Sequence, residues 1–190
     1  MIRRATQADV PAILAIYAPY IRESTITFEY EVPSLADFQE RFDRIASRYP
    51  WLVWEEERRI LGYAYADAAF VRAAYAWDAD MSIYLDRNAR GRGIGSKLYG
   101  CLETILRNGG YHNLFALITG ENAASVRFHE QRGYVRLGTM PKCGWKFGRW
   151  LDVHWYCLRL CEACDPGDAP RAFECTQEDL AVMARYSKEG

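Results

Sequence analysis

Hydrophobic and polar positions follow two different periods along this chain, and the alternation between them predicts a mixture of strands and helices. Alternating apolar runs predict strands over residues 2–5, 51–55, 60–68, 80–85, 114–119, 134–139 and 151–160. Apolar residues spaced three and four apart predict helices that begin near Thr6, Ser34, Gly95 and Glu121. The predicted order is therefore β, α, α, β, β, β, α, β, α, β, β.

Proline and glycine predict where several of these elements break. Pro19 is expected to disturb the first helix, Pro50 to end the second, and Asn108–Gly110 to close the third. The stretch PKCGWKFGRW is expected to separate the last two strands. Residues 24–30 are rich in β-forming side chains but lie between two helices, so we expect an extended segment outside the sheet.

This element order predicts an α/β (α+β) fold. Its expected centre is a twisted sheet, partly antiparallel and partly parallel, flanked by helices, with the third helix crossing between two neighbouring strands. We expect one domain over residues 1–160. A tail follows over residues 161–190, in which residues 176–186 form a short closing helix.

Composition narrows the class of protein. The chain has 190 residues, of which 50% are hydrophobic, and its formal net charge is −1. This balance lacks the basic excess of nucleic-acid or membrane-surface binding proteins. The sequence shows neither an apolar run long enough to span a membrane nor a signal peptide, so we expect a cytoplasmic protein without disulfides.

Four of the six cysteines follow a spacing that metal sites can use. A spacing of C-x3-C-x2-C-x10-C is compatible with a zinc or iron–sulfur site formed by Cys157, Cys161, Cys164 and Cys175. However, Cys157 falls within an alternating strand and no second paired cysteine motif follows. We therefore expect reduced thiols in the tail and no metal, with Cys101 and Cys143 as small buried hydrophobic residues.

The strongest local signal is the stretch SIYLDRNARGRGIG, from Ser82 to Gly95. It runs from a strand through a glycine-rich loop into a helix, where unpaired backbone N–H groups and the helix dipole favour a bound phosphate. The loop matches neither Gly-x-Gly-x-x-Gly nor a Walker sequence, which disfavours dinucleotide and nucleoside-triphosphate binding. An ordinary strand-to-helix turn would use the same glycines.

Two motifs together carry a family resemblance. The loop reads Arg-x-x-Gly-x-Gly at Arg90–Gly95, and a later helix carries the positions of an Asn-x-x-Ala-x-x-x-Tyr-x-x-x-Gly-Phe motif at Asn122, Ser125, His129, Gly133 and Tyr134. With this spacing the chain resembles the GNAT superfamily of N-acetyltransferases. AYAWDADMSIYL, NAASVRFHEQRGY and GWKFGRWLDV extend the likeness to the phosphinothricin and methionine-sulfone acetyltransferase branch, over about residues 2–160.

The resemblance implies acetyl-coenzyme A as the cofactor and assigns residues to it. Strand backbone near Ile83–Leu85, opened by a bulge, would contact the cofactor and stabilise the oxyanion; the helix residues would contact the pantetheine arm. The residues so implied are Ile83, Tyr84, Leu85, Arg90, Gly91, Arg92, Gly93, Ile94, Gly95, Ser96, Asn122, Ser125 and His129.

Two residues are candidates for proton transfer. The acceptor amine must lose a proton before it attacks, and Asp80 lies where this branch commonly has a glutamate, so we expect Asp80 to be the base. A strand-end aspartate that caps a turn is the structural alternative. His129 replaces the tyrosine that many GNAT enzymes use to protonate the leaving thiolate, and it is either that acid or a structural group.

The acceptor site is expected to have aromatic walls and a cation. Family analogy and composition point to Phe28, Tyr30, Tyr75 and Trp77 as walls, and to Lys146, Lys142 or Arg149 as the group that binds an acid function of the acceptor. The chain departs from the branch at two positions. Leu151 replaces the histidine of a His-Asp-Val motif, and Ala76 stands where sulfone-acting relatives can have arginine, so phosphinothricin itself does not follow as the substrate.

The sequence thus predicts an N-acetyltransferase that acts on the primary amine of a small, amino-acid-like acceptor by direct attack. A protein or peptide N-acetyltransferase and a non-catalytic acyl-coenzyme A sensor are the alternatives. No nucleic acid, membrane or metal partner is expected, and the resemblance implies a homodimer.

Overall fold

Alternating runs of β-branched and aromatic residues form seven strands of one sheet in the computed structural model, which describes residues 1–161 and 167–188. The strands are β1 (Ile2–Arg4), β2 (Trp51–Glu56), β3 (Arg59–Ala68), β4 (Asp78–Leu85), β5 (Asn113–Thr119), β6 (Val135–Lys146) and β7 (Arg149–Arg159). The helices are α1 (Val10–Glu23), α2 (Leu35–Ala46), α3 (Ile94–Asn108), α4 (Ala123–Gln131) and α5 (Gln177–Lys188).

The sheet has the order β1-β2-β3-β4-β5-β7-β6. The pair β4–β5 is parallel and the other described pairs are antiparallel. Helix α3 makes the crossover between β4 and β5, as parallel neighbours require. The predicted mixed fold and element order are therefore confirmed. Residues 24–30 lie outside the sheet as predicted, but the chain bends at residues 25–27 and does not run extended there.

The parallel pair separates soon after it forms. β4 and β5 are paired from Asp78 to Asp80 on β4, whereas β4 keeps a continuous register with β3 as far as Leu85. The bulge expected near Ile83–Leu85 is therefore wrong. Each strand retains its other neighbour, since β5 pairs with β7 along its whole length. The sheet thus opens between β4 and β5 without a change of register.

Helices cover both faces of the sheet. Side chains alternate between faces along a strand, and neighbouring residues of β4 show which helix lies on each side. The Tyr84 ring contacts Tyr17 of α1, with ring centroids 4.8 Å apart, whereas Ile83 lies near Gly95 of α3. α1 and α3 therefore pack on opposite faces, and the opening between β4 and β5 lies between them.

Helix α1 continues through Pro19 to Glu23, so the predicted disturbance at Pro19 is wrong. A proline removes one helical hydrogen bond, but the buried residues Tyr17, Tyr20 and Ile21 hold the last turns against the sheet. The Ser24 hydroxyl donates to the Tyr20 carbonyl at 2.7 Å and closes the helix.

The stretch PKCGWKFGRW was expected to separate two strands but forms the end of a long hairpin. Gly144 pairs with Leu151 and Lys146 pairs with Arg149, so β6 and β7 pair up to their turn. Phe147 and Gly148 have φ values of 50° and 75°. These left-handed conformations permit a two-residue turn that follows the twist of the strands.

The closing helix α5 packs against α3 and β1. Val182 and Met183 are buried in the same core as the sheet, and the Ser187 hydroxyl accepts a bond from the Ile2 N–H at 2.7 Å. The space that a Cβ would need at Gly100 of α3 is filled by the Tyr186 ring. The tail thus supports both α3 and the β1 edge of the sheet.

Cysteine chemistry in the tail differs from expectation. Cys161 is disulfide-bonded, which corrects the prediction of reduced thiols there. Cys101 is buried as expected, but Cys143 is exposed; it lies in the β6–β7 hairpin, which the sequence reading had missed. The prediction for Cys164 falls outside the described residues. Within residues 1–161 and 167–188, no helix is long and apolar enough to cross a membrane.

Candidate functional site

A cavity of about 500 Å³ fills the opening between β4 and β5. Its walls come from both strands, from the loop before α3, and from α4, with two residues from α1 and the segment after it. The lining residues are Tyr20, Ile26, Met81–Leu85, Arg90, Gly91, Gly93, Gly95, Ser96, Ala116–Ile118, Asn122, Ala124, Ser125, Phe128 and His129.

One end of the cavity is an anion-binding loop. Gly91 and Gly93 both have φ of 75°, and a Cβ added at either position would meet no atom within 4 Å. Gly93 caps α3, whose first N–H groups therefore face open space. A phosphate can approach the backbone closely where glycines adopt positive φ and no side chain intervenes. The helix dipole also favours negative charge at this point.

The β4 edge supplies the next part of the cavity. Beyond Asp80, the β4 edge that would face β5 has no strand partner among the described residues. Backbone donors and acceptors along such an edge can pair with an extended amide chain. At the end of the edge, the Tyr20 hydroxyl donates to the Leu85 carbonyl at 2.6 Å and accepts from the Leu85 N–H at 3.2 Å. The part of the β4 edge that is free to pair with an extended ligand is therefore Met81–Tyr84.

The basic residues of the loop have different surroundings. The Arg90 guanidinium lies over the Tyr20 ring, 5.3 Å from its centroid, and lines the cavity. Arg92 does not line the cavity, and its Nη2 donates to both carboxylate oxygens of Glu56, at 2.7 and 3.0 Å. Ile94 is buried and does not line the cavity. Of the predicted residues from Arg90 to Ser96, Arg90, the three glycines and Ser96 are thus the ones that line the cavity.

Helix α4 presents its first turn to the cavity. The Asn122 side-chain oxygen accepts from the Ser125 N–H at 3.2 Å, so Asn122 is the N-cap of α4. Asn122, Ser125 and His129 all line the cavity, opposite the glycine loop. The structure therefore brings together the two halves of the predicted cofactor motif.

His129 is enclosed by the protein. Its Nε2 lies 2.9 Å from the Tyr99 hydroxyl and its Nδ1 lies 2.8 Å from the Ser125 carbonyl. Burial, together with the charge of the nearby Arg132, lowers the pKa of His129 to about 4, and the hydrogen bond to the Ser125 backbone opposes this shift. The imidazole is therefore neutral near pH 7, with both nitrogens engaged. Its role as an acid stays a prediction, and its contacts support a structural role.

Asp80 lies at the point where β4 and β5 separate, next to the cavity residues Met81 and Ser82. One of its carboxylate oxygens, Oδ1, is buried and has no hydrogen-bond partner. Burial, together with the charge of Asp67, raises the pKa of Asp80 to about 7, and a hydrogen bond from the Met81 backbone opposes this rise. A carboxylate with this pKa can accept a proton at neutral pH.

Three of the predicted acceptor residues join the segment after α1 to the β6–β7 hairpin. The Phe28 ring lies where a Cβ of Gly144 would be, at 2.2 Å, so only glycine fits there. The Tyr30 hydroxyl donates to the Trp145 carbonyl. The Lys146 ammonium donates to the Thr27 carbonyl at 2.6 Å, and burial lowers the pKa of Lys146.

The other predicted acceptor residues lie elsewhere. Tyr75 is partly exposed and packs on Phe70, with centroids 4.6 Å apart, and the Trp77 indole nitrogen is buried without a partner. Neither these residues nor Phe28, Tyr30 and Lys146 line the cavity between β4 and β5. Arg149 is engaged by Glu121 at 2.8 Å. The structure therefore does not gather the predicted acceptor residues into this cavity.

Several cavity residues were missed from the sequence. Tyr20 and Ile26 come from α1 and its exit, and Ala116–Ile118 from β5. No local motif marks them, because they reach the cavity only through the separation of the two strands. Phe128 could have been found, since it lies three residues after Ser125 and thus on the same face of α4.

The residues present fit acetyl-coenzyme A. The loop fits its phosphates, the free β4 edge fits an extended amide chain, and the cavity ends beside Asp80. Among the residues that the structure describes, no group of three or more His, Cys, Asp or Glu side chains could hold a metal ion.

Comparison with known proteins agrees with this geometry. Residues 2–155 match the model of an acetyltransferase (GNAT) domain. The chain is 38% identical to a phosphinothricin N-acetyltransferase of Streptomyces viridochromogenes over 152 residues, which cover 80% of this chain and 83% of that protein. It is 36% identical over 161 residues to an L-methionine sulfoximine/L-methionine sulfone acetyltransferase of Pseudomonas paraeruginosa, covering 84% and 94% of the two chains.

A solved structure shows the same fold with a ligand. The crystal structure of a GNAT superfamily phosphinothricin acetyltransferase from Sinorhizobium meliloti in complex with acetyl-coenzyme A superposes with a TM-score of 0.81 at 34% identity, covering 94% of this chain and 96% of that one. The fold and site define an acyl-transferring domain that binds a coenzyme A thioester. The chain belongs to the GNAT acetyltransferase family, and it is an acetyl-coenzyme A-dependent N-acetyltransferase.

Proposed function

We propose that the chain transfers an acetyl group from acetyl-coenzyme A to the primary amine of a small, amino-acid-like acceptor, with Asp80 as the base. The relatives named for phosphinothricin and methionine sulfone support this acceptor class. The observation that carries the proposal is the position of Asp80: its unpartnered buried oxygen lies where the cavity between β4 and β5 ends.

Different residues of this chain bind the cofactor, transfer the proton and stabilise the oxyanion in this proposal. When bound, acetyl-coenzyme A supplies the acetyl thioester. Arg90 and the glycine loop hold its phosphates, and the free β4 edge aligns its amide chain. Asp80 takes a proton from the acceptor's ammonium, which frees the nitrogen lone pair for attack on the carbonyl carbon. Backbone N–H groups of β4 would stabilise the oxyanion. Its collapse would break the C–S bond and release coenzyme A as the thiolate, which would take up the second proton lost by the attacking nitrogen.

The transfer is direct in this proposal. Of the cysteines that the structure describes, none lines the cavity, and burial raises the pKa of Cys101 to about 12. A thiol in that state is a poor nucleophile. Intersecting double-reciprocal plots of initial rates would support direct transfer, whereas parallel lines would indicate a covalent acetyl-enzyme.

The experiment that tests the proposal is thiol release from acetyl-coenzyme A with a panel of acceptors. The panel comprises proteinogenic amino acids, methionine sulfone, phosphinothricin, polyamines and short peptides. Turnover with amino acids or their analogues would support the proposal. Turnover with peptides alone would replace it by peptide acetylation, and tight cofactor binding without any turnover would replace it by a sensor function.

We also propose that the chain forms a homodimer in the cytoplasm. The edge strand β6 exposes Val135 and Leu137, at 65% and 61% of their surface, which is unusual for a strand that stays unpaired. Sedimentation velocity of the wild type and of Leu137→Lys tests the dimer. A monomer in both would contradict it.

A further inference from the structure

A second carboxylate lies directly opposite Asp80. In the antiparallel pair β3–β4, Asp67 is the register partner of Asp80. Directly opposed residues lie on the same face of a sheet with their Cβ atoms about 4.5–5.5 Å apart. Two like charges at this distance destabilise a sheet, so such a pair needs a reason beyond folding.

The two carboxylates have unequal surroundings. Asp67 is partly exposed; it accepts from the Ala68 N–H at 2.8 Å, and Arg44 of α2 reaches it at 3.3 Å. Asp80 is the deeper of the two, and its buried Oδ1 has no partner. Asp67 thus has solvent and Arg44 beside it, whereas burial favours the protonated form of Asp80.

Among the residues that the structure describes, three phenols also lie near Asp80. Tyr65 of β3, Tyr84 of β4 and Tyr99 of α3 lie within electrostatic range, and burial raises the pKa of each. These side chains are neutral near pH 7. Asp67 is therefore the charged group that acts on Asp80.

We propose that Asp67 is a positioning residue of the acetyl transfer, which acts through Asp80 by placing a second negative charge beside the proton that Asp80 receives from the acceptor's ammonium. Asp67 need not touch the acceptor. The proposal rests on the proposed function, because it takes Asp80 as the base. Aspartate is the shorter carboxylate at this position, and the second charge keeps it a strong enough base near neutral pH.

Charge-changing variants test the proposal with opposite signs. Asp67→Asn removes the charge, so the pKa of Asp80 and the acid limb of kcat/KM should both fall by about one pH unit. Arg44→Gln leaves Asp67 without its counter-ion and should raise both by about 0.3 unit, because exposed ion pairs are weak. The double variant should behave like Asp67→Asn. Asp67→Glu should restore the wild-type profile.

Two measurements distinguish a failure of the Asp67 proposal from a failure of the proposed role of Asp80 as the base. The Asp80 carboxyl is titrated by carbon-13 NMR, assigned with Asp80→Asn, and kcat/KM is measured across the same pH range. Asp43→Asn, which removes another charge from α2, is the control and should move neither. No NMR shift in Asp67→Asn would overturn the proposal whatever the activity. An NMR shift without a shift of the kinetic limb would also overturn it, and would show that Asp80 is not the base.

Discussion

Replacing Asp80 by asparagine should make the protein more stable while making it a poorer enzyme. Asp80 lies where β4 and β5 separate, and burial of its carboxyl group raises its pKa from 3.8 to about 7. The folded state therefore holds the Asp80 proton more tightly than the unfolded chain does. The resulting stability is fully present below about pH 3.8 and is lost as the pH rises through about 7.

The size of the effect follows from the pKa. A rise of about three units at about 1.4 kcal/mol each means that ionised Asp80 costs the fold about 4 kcal/mol above pH 7. Asparagine removes this cost, and the loss from an imperfectly bonded amide is about 1 kcal/mol. Asp80→Asn should thus gain about 3 kcal/mol at pH 8, or roughly 10 °C in Tm, and under about 1 kcal/mol at pH 5.

Urea denaturation of wild type and variant at pH 5 and pH 8 measures this gap. Asp78→Asn is the matched control on the same strand, since the Asp78 carboxylate accepts from Asn113 at 2.8 Å and an asparagine oxygen can keep that bond. A gap that is the same at both pH values, or a variant less stable than the wild type at pH 8, would refute the reasoning about Asp80.

Three further variants test other parts of the site and fold. Gly93→Ala forces a side chain into a φ of 75° and should raise KM for acetyl-coenzyme A about tenfold with kcat nearly unchanged. The control Gly110→Ala, which is equally strained at φ 84° but remote from the cavity, should leave KM unchanged. Equal effects of both variants in steady-state kinetics would contradict the assignment of the loop to the cofactor. Met183→Ala should cost about 2–3 kcal/mol in urea denaturation without changing KM, and a neutral result would show that α5 is not part of the core. His129→Gln should lose about 2 kcal/mol at pH 7.5 by leaving Tyr99 without its partner. The pKa of His129 lies below its ordinary value of 6.5, so the wild type loses stability as the pH falls from 6.5 towards about 4. The stability difference between wild type and His129→Gln should therefore narrow at pH 5. A kcat loss of several hundredfold in His129→Gln would instead favour the acid role of His129.

The cofactor half of the site was predictable because its signal is local. Arg90–Gly95 encodes a turn that needs positive φ at Gly91 and Gly93, and Asn122 caps the helix that faces it. Glycines and helix-capping residues at fixed spacings can be recognised in a single sequence. The element order could be predicted for the same reason, since each strand and helix shows its own period.

What the sequence did not reveal depends on tertiary packing. The separation of β4 from β5 becomes visible only in the strand pairing of the folded sheet, so Tyr20 and Ala116–Ile118 carry no local sequence signal as cavity residues. Aromatic composition suggested Phe28 as an acceptor wall, but its tight packing against Gly144 becomes visible only when the β6–β7 hairpin is formed. Likewise, strand register is needed to place Asp67 opposite Asp80.

The most direct test of the proposed chemistry is the pH dependence of acetyl transfer in wild type and Asp80→Asn. Thiol release with the best acceptor of the panel should show an acid limb near pH 7 in the wild type, because the pKa of Asp80 is about 7. The variant should lose about 100-fold or more in kcat/KM and lack that limb. Equal rates and an unchanged limb in Asp80→Asn would contradict the account.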